Sequence, residues 1–459
     1  MDAKNKATEG FYRKFLQIPG PNPLLIAGGK DTWDERRIEC GDVFKDQHTY
    51  YLYYHGMPKN AKLWPTPGRT EAVSYRIGVA TASHPLGPWK KYEKNPIIDT
   101  GPKGSWEDGC VACPHIIKEK GNIYYLWYSA IKSNPGLGIS GTLKMDIGLA
   151  TASHPLGPWK KYEGNPVITN FGYIGSVLKI NGKYYMYTEY PVGASSPDEG
   201  PMCLTIADRP EGPWKPYEGN PVLAPDDWGS WDDGGYSEGK VVYHDGMFHM
   251  FYGGTKWMKL ERIGYAYSYD GFHFTKYPGN PIALTEHSPN SEAFAEVHAW
   301  IEPPLVYLYH TIRYKNMKSE PSHLGQEDIG VQVMATENSF RFAMPLLQLG
   351  FLEAKKQTSL DLCPPVRLEH VESVVLTIEA KYHPAAKRGL CAHVFGSSDG
   401  MRYDTEDLYM FKVPLKKGKS VCKSIELCPQ VMYLKVVLEN LDKSKKVSSL
   451  AVTATLGKS

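Results

Sequence analysis

The fold is decided by a stretch of sequence that occurs twice almost unchanged. IGVATASHPLGPWKKYEKNPII (Ile77–Ile98) returns as IGLATASHPLGPWKKYEGNPVI (Ile147–Ile168), and looser copies follow around Ile206–Leu223 and Ile263–Leu284. NPLL at Asn22–Leu25 supplies the end of a fifth copy. The Asn-Pro steps, at positions 22, 95, 165, 220 and 280, recur about every 55 to 75 residues, a period that suits a four-stranded blade better than a solenoid turn.

Each period contains the same order of strand and turn signals. KVVYHDGMFHMFYGG (Lys240–Gly254) predicts one hairpin and IGYAYSYDGFHFTKY (Ile263–Tyr277) a second, each turning at Asp-Gly between residues that alternate with a period of two. Helical periodicity is absent. The sequence therefore predicts an all-β protein whose residues 1–350 form a five-bladed β-propeller. FRFAMPLLQL (Phe340–Leu349) is predicted to end the fifth blade, which NPLL joins to close the ring.

After residue 350 the repeat signals stop. SVVLTIEAKY and QVMYLKVVLENL are strands of another kind, and residues 351–459 are long enough for a separate C-terminal β-sandwich. Two roles remain open for this unit, a structural cap on the propeller and a carbohydrate-binding module.

The overall charge excludes several classes of partner. Lys and Arg number 52 and Asp and Glu 50, so no global field would recruit nucleic acid or an anionic membrane. No apolar stretch of about 18 residues and no leader is visible. We expect a cytoplasmic protein as given, or a periplasmic or secreted one if a leader has been removed. Aromatic residues at 12% suit stacked sheets and also a site that stacks on sugars.

Three glutamates are the first candidates for a functional site. The first strands of propeller blades converge on a central funnel, so functional side chains should lie near their starts. Glu39, Glu238 and Glu296 occupy nearly the same repeat position, about ten residues before an aromatic strand. Ile174 and the pair Ala112-Cys113 stand there in the other two blades. The acids are therefore not a repeat-wide habit, which favours function over solvated strand starts.

A second acidic pattern is a Trp-acid-acid step before three first strands. It begins at Trp33, Trp106 and Trp231, and either a turn-capping role or a place at the funnel mouth fits it. On the second interpretation Asp108 and Asp233 join the catalytic set and the tryptophans contact substrate. His115, His298 and Arg313 are candidates for binding sugar hydroxyl groups, and His310 is a weaker one.

Clustered carboxylates in a partly apolar funnel repel one another, so one should keep its proton near neutral pH while another is ionised. Glycoside hydrolysis needs this arrangement, because one acid protonates the departing oxygen while another activates water or attacks the anomeric carbon.

Taken together, these residues resemble those of the five-bladed propeller glycoside hydrolases. This superfamily includes arabinanases and β-xylosidases (family 43), invertases (family 32) and neoagaro-oligosaccharide hydrolases (family 117). The resemblance covers about Asn22–Leu349 and rests on the repeated segment, on DGMFHMFYGG and on the Trp-acid-acid steps. It implies that Glu39 is the general base and Glu238 the general acid.

The chain departs from these families at three positions. The tuning aspartate of arabinanase-like enzymes has no match at Ile174, and both family 43 and family 117 use aspartate where this chain has Glu39. The step from Glu296 to Trp300 is similar to family 117, but Ala295 stands where that family has a histidine. Asp42, Asp34 and Glu35 therefore remain alternatives for the base.

The leading hypothesis is an exo-acting, inverting glycoside hydrolase with a carbohydrate substrate and no organic cofactor. The architecture leaves room for an axial divalent cation, for which the sequence names no ligands. Two alternatives stay open: a non-catalytic carbohydrate-binding propeller, and a glycoside phosphorylase whose phosphate site would draw on Arg36, Arg37 and Arg313.

Overall fold

A computed structural model describes residues 15–19, 22–59, 61, 75–134, 145–189, 200–256, 261–283, 291–314, 327–337 and 339–458. The predicted all-β class is confirmed: apart from a 3₁₀ turn at Leu360–Leu362, the regular elements in these ranges are all strands. None of the described residues forms a helix long and apolar enough to cross a membrane.

The strands are numbered in chain order and form five four-stranded sheets in the first three-quarters of the chain. Sheet 1 consists of β2 (Arg37–Asp46), β3 (Thr49–Met57), β4 (Arg76–Ala82) and β5 (Lys90–Lys91). Sheet 2 consists of β6 (Cys110–Glu119), β7 (Ile123–Ile131), β8 (Asp146–Ala152) and β9 (Lys160–Lys161). Sheet 3 consists of β10 (Tyr173–Ile180), β11 (Lys183–Glu189), β12 (Met202–Ala207) and β13 (Lys215–Pro216). Sheet 4 consists of β14 (Gly235–His244), β15 (Met247–Thr255), β16 (Arg262–Ser268) and β17 (Thr275–Lys276). Sheet 5 consists of β18 (Ser291–Glu302), β19 (Leu305–Tyr314), β20 (Glu327–Ala335) and, from the N-terminal end, β1 (Leu16–Pro19).

The first strands of the five sheets contact one another in cyclic order, β2 to β6, β10, β14, β18 and back to β2. They approach so closely that some positions admit no side chain. A Cβ at Gly175 in β10 would lie 2.1 Å from the carbonyl oxygen of Gly239 in β14. The ring of first strands therefore forms a narrow axis, and residues near the strand starts face a shared centre.

The asparagine of each Asn-Pro step fastens the third strand of a sheet through its side-chain amide. Asn95 accepts a hydrogen bond from the Val79 amide and donates one to the Val79 carbonyl, both at 2.9 Å. The same pair of bonds joins Asn165 to Leu149, Asn220 to Leu204 and Asn280 to Tyr265. Asn22 makes it with Val331 in β20. Because that contact spans almost the whole repeat region, the N-terminal copy fastens the last sheet to the first part of the chain.

The prediction that FRFAMPLLQL completes the fifth blade is wrong. These residues lie in β21 (Phe340–Leu352), which pairs with β28 (Val447–Lys458). The fourth strand of sheet 5 is instead β1, paired with β20. The reason is that β21 continues an alternating apolar face that the C-terminal sheets cover, so the boundary of 350 cuts through a strand.

Two four-stranded sheets make up the C-terminal region. One has the order β21, β28, β23 (Ser373–Tyr382), β26 (Ser420–Leu427), and the other β22 (Val366–Arg367), β27 (Tyr433–Asn440), β24 (Leu390–Ser397), β25 (Tyr409–Lys412). Their buried side chains form one continuous apolar cluster with residues of sheets 1 and 5. A cavity of about 500 Å³ remains between the two parts, and Trp89, Leu346 and Pro365 are among its lining residues.

We predict that Asn165→Ala destabilises the protein by about 1–3 kcal/mol, because the Leu149 amide loses its partner and the Leu149 carbonyl keeps only the bond from the Tyr162 amide. Thermal denaturation checks this against Asn134→Ala, which changes an exposed asparagine. Equal melting temperatures for the two variants would show that the side-chain amide of Asn165 does not stabilise the sheet.

Candidate functional site

Every first strand carries a β-bulge near its start. The register with the second strand breaks between Cys40 and Asp42, Ala112 and His115, Ile174 and Ser176, Ser237 and Lys240, and Ala295 and His298. Aligned on the residue after the bulge, Glu238 and Glu296 share their position with Cys40, Cys113 and Ile174. Glu39 lies one residue nearer the strand start, opposite His55. The predicted alignment is thus off by one at Glu39, because Glu39 stands ten residues before its second strand begins (49 − 39), whereas Glu238 and Glu296 stand nine residues before theirs (247 − 238 and 305 − 296).

Glu39 is a buried carboxylate surrounded by donors. His55 Nε2 lies 2.8 Å from Oε2, Arg37 Nη1 lies 3.3 Å from Oε1, and the Tyr75 hydroxyl also donates to Oε1. Burial opposes ionisation, but the hydrogen bond and charge of His55 and the charge of Arg37 outweigh it. The pKa of Glu39 is therefore held well below its usual range, and the group is ionised at neutral pH.

The pKa of Glu238 is shifted in the opposite direction. Burial raises its pKa, and repulsion from Glu39 adds to the shift, although Lys240 opposes it. Its Oε1 accepts a hydrogen bond from the Cys113 thiol at 2.7 Å, while its buried Oε2 has no hydrogen-bond partner among the described residues. Carboxyl groups from sheets 1 and 4 therefore interact electrostatically, and their pKa values are shifted in opposite directions.

Glu296 belongs to a network in which arginine guanidinium groups alternate with glutamate carboxyl groups. Arg313 bonds to Glu296 at 3.1 Å, to Glu327 at 3.2 Å and to Glu261 at 2.7 Å. Arg37 joins this network by bonding to Glu327 at 3.2 Å. Burial raises the pKa of Glu296 well above its usual value against the charge of Arg313, and Glu39 and Glu238 raise it further. The three predicted glutamates therefore form one electrostatic cluster.

At four of the five junctions between neighbouring sheets, a side chain of the second strand hydrogen-bonds to the next sheet around the ring. Each accepts from the backbone amide of the bulge residue that is equivalent to Glu238. Thr311 accepts from Cys40 (3.0 Å), His55 from Cys113 (3.4 Å), Ser129 from Ile174 (3.0 Å) and Glu189 from Glu238 (3.5 Å). Glu189 thus brings a blade-three acid to Glu238, although Ile174 offers none.

A second set of hydrogen bonds between neighbouring sheets is made by the first-strand residues that follow the bulge, two residues further along each strand. Asp42 Oδ2 accepts from the Ile116 amide (2.8 Å), His115 Nε2 lies 2.8 Å from the Val177 carbonyl, and Ser176 Oγ accepts from the Val241 amide (2.9 Å). His298 bonds to the backbone of Val43. Asp42 also lies 3.0 Å from His115 Nδ1 and 3.1 Å from His298 Nδ1. His115 and His298 therefore fasten first strands together, and Asp42 is engaged with them rather than free to act as a base.

The Trp-acid-acid steps do not reach this cluster. Trp33, Trp106 and Trp231 stack on Tyr54, Tyr128 and Tyr252 of their own sheets. The first acid of each step, Asp34, Glu107 or Asp232, pairs with a fourth-strand lysine: Lys91, Lys161 or Lys276. The motif is thus a repeated packing and ion-pair unit. Its three tryptophans, predicted to contact substrate, are committed to packing.

The second acids of these steps cap loops. Asp108 accepts from the Gly104 and Ser133 amides at 2.6 and 2.7 Å, and Asp233 accepts from the Gly229 amide at 2.7 Å. Glu35 accepts from the Asp31 amide in the corresponding loop. The turn-capping interpretation accounts for these contacts, and no described contact joins Asp108 or Asp233 to Glu39 or Glu238. His310, in the core of sheet 5, has its pKa lowered to about 4 by burial.

Four partners in the cluster were not named by the sequence reasoning: Tyr75, Glu261, Glu327 and Glu189. A signal for three of them existed. Tyr75, Glu261 and Glu327 each stand two residues before an Ile-Gly step of a third strand, where sheet 2 has Met145. Variation at an otherwise repeated position marks the site, as it does in the first strands. Glu189 has no such marker, because its contact follows from the ring geometry.

Within the described ranges, no group of three or more His, Cys, Asp and Glu side chains is arranged to hold a metal ion. Cys110 and Cys113 are buried and are not joined in a disulfide.

No family model matches the chain, and no curated protein matches it. Solved structures match in fold. One described as a glycoside hydrolase has a TM-score of 0.52 at 14% identity, covering 73% of this chain and 96% of the other. A putative glycoside hydrolase from Parabacteroides distasonis gives 0.51 at 15%, covering 72% and 98%. A third, described as showing that the GH130 family of mannoside phosphorylases contains glycoside hydrolases that target β-1,2 mannosidic linkages in Candida mannan, gives 0.50 at 15%, covering 70% and 94%. The chain therefore has the β-propeller fold found among glycoside hydrolases.

We predict that Glu296→Gln stabilises the protein at neutral and alkaline pH but not near pH 4. The free carboxyl ionises above about 4.3 in the unfolded chain, whereas burial keeps it protonated in the fold, so wild-type stability is lost as pH rises toward the folded pKa. Glutamine cannot ionise and avoids this loss.

Melting temperatures of both proteins from pH 4 to pH 8 check the prediction. Glu163→Gln, at a side chain that is 85% exposed, is the control. A constant difference between wild type and Glu296→Gln over this range would contradict it.

Proposed function

We propose that this protein is a glycoside hydrolase whose site is the glutamate cluster at the centre of a five-bladed propeller. The main support for this proposal is that Glu39 and Glu238, from sheets 1 and 4, interact electrostatically while their pKa values shift in opposite directions. Pairs of acids pushed apart in this way are the requirement for acid–base cleavage of a glycosidic bond. The fold similarity to glycoside hydrolase structures supports the same class.

In this proposal Glu238 is the general acid. Its Oε1 accepts from Cys113, so the proton is best placed on Oε2, which has no partner among the described residues and can donate to the departing oxygen. Once the proton has left, Lys240 stabilises the carboxylate, since its charge lowers the pKa of Glu238.

Glu39 is the general base of the proposal. It is ionised, and its electrostatic interaction with Glu238 supports pairing it with the acid. Its three donors hold the carboxylate in one orientation, at the cost of basicity. Inversion and exo-action extend the proposal: inversion requires the two carboxyl groups to stand about 6.5–9.5 Å apart with water between them.

A glycoside phosphorylase is the second candidate, because one matched structure is described in terms of mannoside phosphorylases that include hydrolases. The charges count against it. Arg37 and Arg313 are paired with glutamates, and Arg36 donates to the Ala61 carbonyl. A phosphate would have to displace carboxylates from these guanidinium groups. A carbohydrate-binding propeller without catalysis is the remaining alternative.

The C-terminal sheets are proposed to be a β-sandwich that caps the propeller rather than a binding module. Their core is continuous with that of sheets 1 and 5, which is expected of a structural partner and not of a tethered module.

We predict that Glu238→Gln lowers hydrolysis of alkyl or sugar glycosides by 10²-fold or more, as expected for loss of a general acid. Aryl glycosides with acidic leaving groups lose less, because their leaving oxygen needs no proton. A panel of both substrate types, with and without phosphate, measures this. Glu107→Gln, at a buried glutamate paired with Lys161, is the matched control. Equal losses for both leaving groups would remove Glu238 as the acid, and turnover that requires phosphate would favour the phosphorylase.

We predict a bell-shaped dependence of kcat/KM on pH. Glu39 must be ionised, and its lowered pKa puts the acidic limb below the usual carboxyl range. Glu238 must be protonated, and its raised pKa puts the alkaline limb above that range. Initial rates across the pH range check this, and Glu238→Gln should abolish the alkaline limb. A limb that persists in that variant would assign it to another group.

A further inference from the structure

The ring has five seams, meaning the junctions between neighbouring sheets along their first strands. One seam lacks both kinds of inter-sheet hydrogen bond found at the other four. The first kind of contact comes from a second-strand side chain. In sheet 4 that position is Gly253, which has no side chain to reach the Glu296 amide. The other sheets have His55, Ser129, Glu189 and Thr311 there. The second kind of contact comes from the first-strand residue after the bulge. In sheet 4 that residue is Lys240, whereas the other sheets have Asp42, His115, Ser176 and His298. Among the residues that the structure describes, the Lys240 ammonium has no hydrogen-bond partner. Both exceptions fall on the seam between sheets 4 and 5.

Buried polar atoms without partners collect at this seam. They are Ser237 Oγ, Glu238 Oε2 and Lys240 Nζ on sheet 4 and Glu296 Oε2 on sheet 5, and none has a partner within the described ranges. Their residues are 9, 6, 0 and 7% exposed. Native proteins rarely leave such atoms unpaired, because each costs free energy. A concentration of four at one place therefore indicates a bound ligand.

The chemistry of these atoms fits a neutral polyol. Lys240 offers an ammonium donor, Ser237 a hydroxyl that both donates and accepts, and the free oxygens of Glu238 and Glu296 can accept or, when protonated, donate. Sugar hydroxyl groups donate and accept in the same way. A carboxylate ligand would be repelled by the ionised Glu39, and the Arg313 guanidinium is already engaged by three glutamates.

We propose that the seam between sheets 4 and 5 is the subsite that holds the ring hydroxyl groups of the sugar to be cleaved, with Lys240 on its floor and Ser237 and Glu296 in its walls. The proposal rests on the proposed function in that the ligand is taken to be a carbohydrate. It adds the location of the ring and a preference for uncharged sugars over uronic acids. At the other four seams, side chains tie neighbouring sheets together and occupy the same position.

Gly253→Ser tests the proposal by closing the seam. A Cβ there would lie 2.1 Å from Ser237 Oγ and at least 3.5 Å from other nearby atoms, so rotation of the Ser237 side chain admits it. The new hydroxyl can then make the tie that Ser129 makes in sheet 2. We expect an unchanged or raised melting temperature together with sugar affinity weakened about tenfold or more, as for the loss of a hydrogen bond to a charged group. A change that merely damaged the fold would lower both.

Lys240→Met is the second variant, since it removes the ammonium and keeps the chain length, and it should weaken binding to a similar extent. Ser129→Gly is the matched control: it opens the equivalent seam between sheets 2 and 3, and we expect a lower melting temperature with unchanged affinity. Affinities of the full-length proteins are measured by titration with D-xylose, L-arabinose, D-galactose, D-mannose and D-galacturonate. Free sugars are not turned over, so the readout does not depend on hydrolysis.

Binding of a neutral sugar that Gly253→Ser and Lys240→Met both weaken supports the subsite. Affinity unchanged in both variants, a preference for galacturonate, or no binding of any of these sugars to the wild type overturns it. The proposed function can fail separately: if the sugar binds with these sensitivities but no glycoside is cleaved, the subsite stands and the hydrolase does not. If glycosides are cleaved and both variants bind sugar normally, the hydrolase stands and the subsite does not.

Discussion

The amide of a repeated asparagine is the contact on which the rest of this structure depends. By accepting from one backbone amide and donating to the carbonyl of the same residue, it replaces a neighbouring strand at the edge of each third strand. The chain leaves that point to begin the next sheet at the axis. Five copies therefore deliver five first strands to one centre, and the N-terminal copy, Asn22 on Val331, fastens the end of the ring to its beginning.

Within that ring, chemistry arises where the repetition is broken. Most repeated polar residues are structural: the Trp-acid-acid steps pair with lysines, and the histidines beside Asp42 tie strands together. The proposed catalytic residues instead occupy positions that differ from sheet to sheet. Glu238 and Glu296 stand where other sheets have Cys40, Cys113 or Ile174, and Gly253 and Lys240 leave one seam without its ties. A rigid ring can carry these costly substitutions because the other seams remain fastened.

The sequence predicted the all-β class and the convergence of Glu39, Glu238 and Glu296, because the repeat acts as a ruler for positions near the strand starts. It placed Glu39 one residue off, since the predicted alignment matched the spacing to the aromatic strand only approximately, and that spacing is one residue longer in sheet 1 than in sheets 4 and 5. It assigned Phe340–Leu349 to the wrong sheet, because an alternating apolar strand does not name its neighbour. Contacts between sheets, such as Glu189 with Glu238, depend on the order of the ring and on side-chain reach.

Burial sets the electrostatic character of the cluster. Glu39 is ionised because its donors outweigh burial, whereas for Glu238, Glu296 and Glu327 burial prevails. The difference comes from residues such as His55 and Tyr75, which hydrogen-bond directly to the Glu39 carboxylate. Surroundings thus shift the pKa values of the same residue type in opposite directions, as the proposed acid and base require.

The most direct measurement is a crystal structure of the Glu238→Gln variant with an oligosaccharide that the wild type cleaves. The account predicts the sugar ring against sheets 4 and 5, with its glycosidic oxygen about 3 Å from the side chain at position 238, and a water between Glu39 and the anomeric carbon. A sugar bound away from the glutamate cluster, such as in the cavity between Trp89 and Pro365, would contradict it.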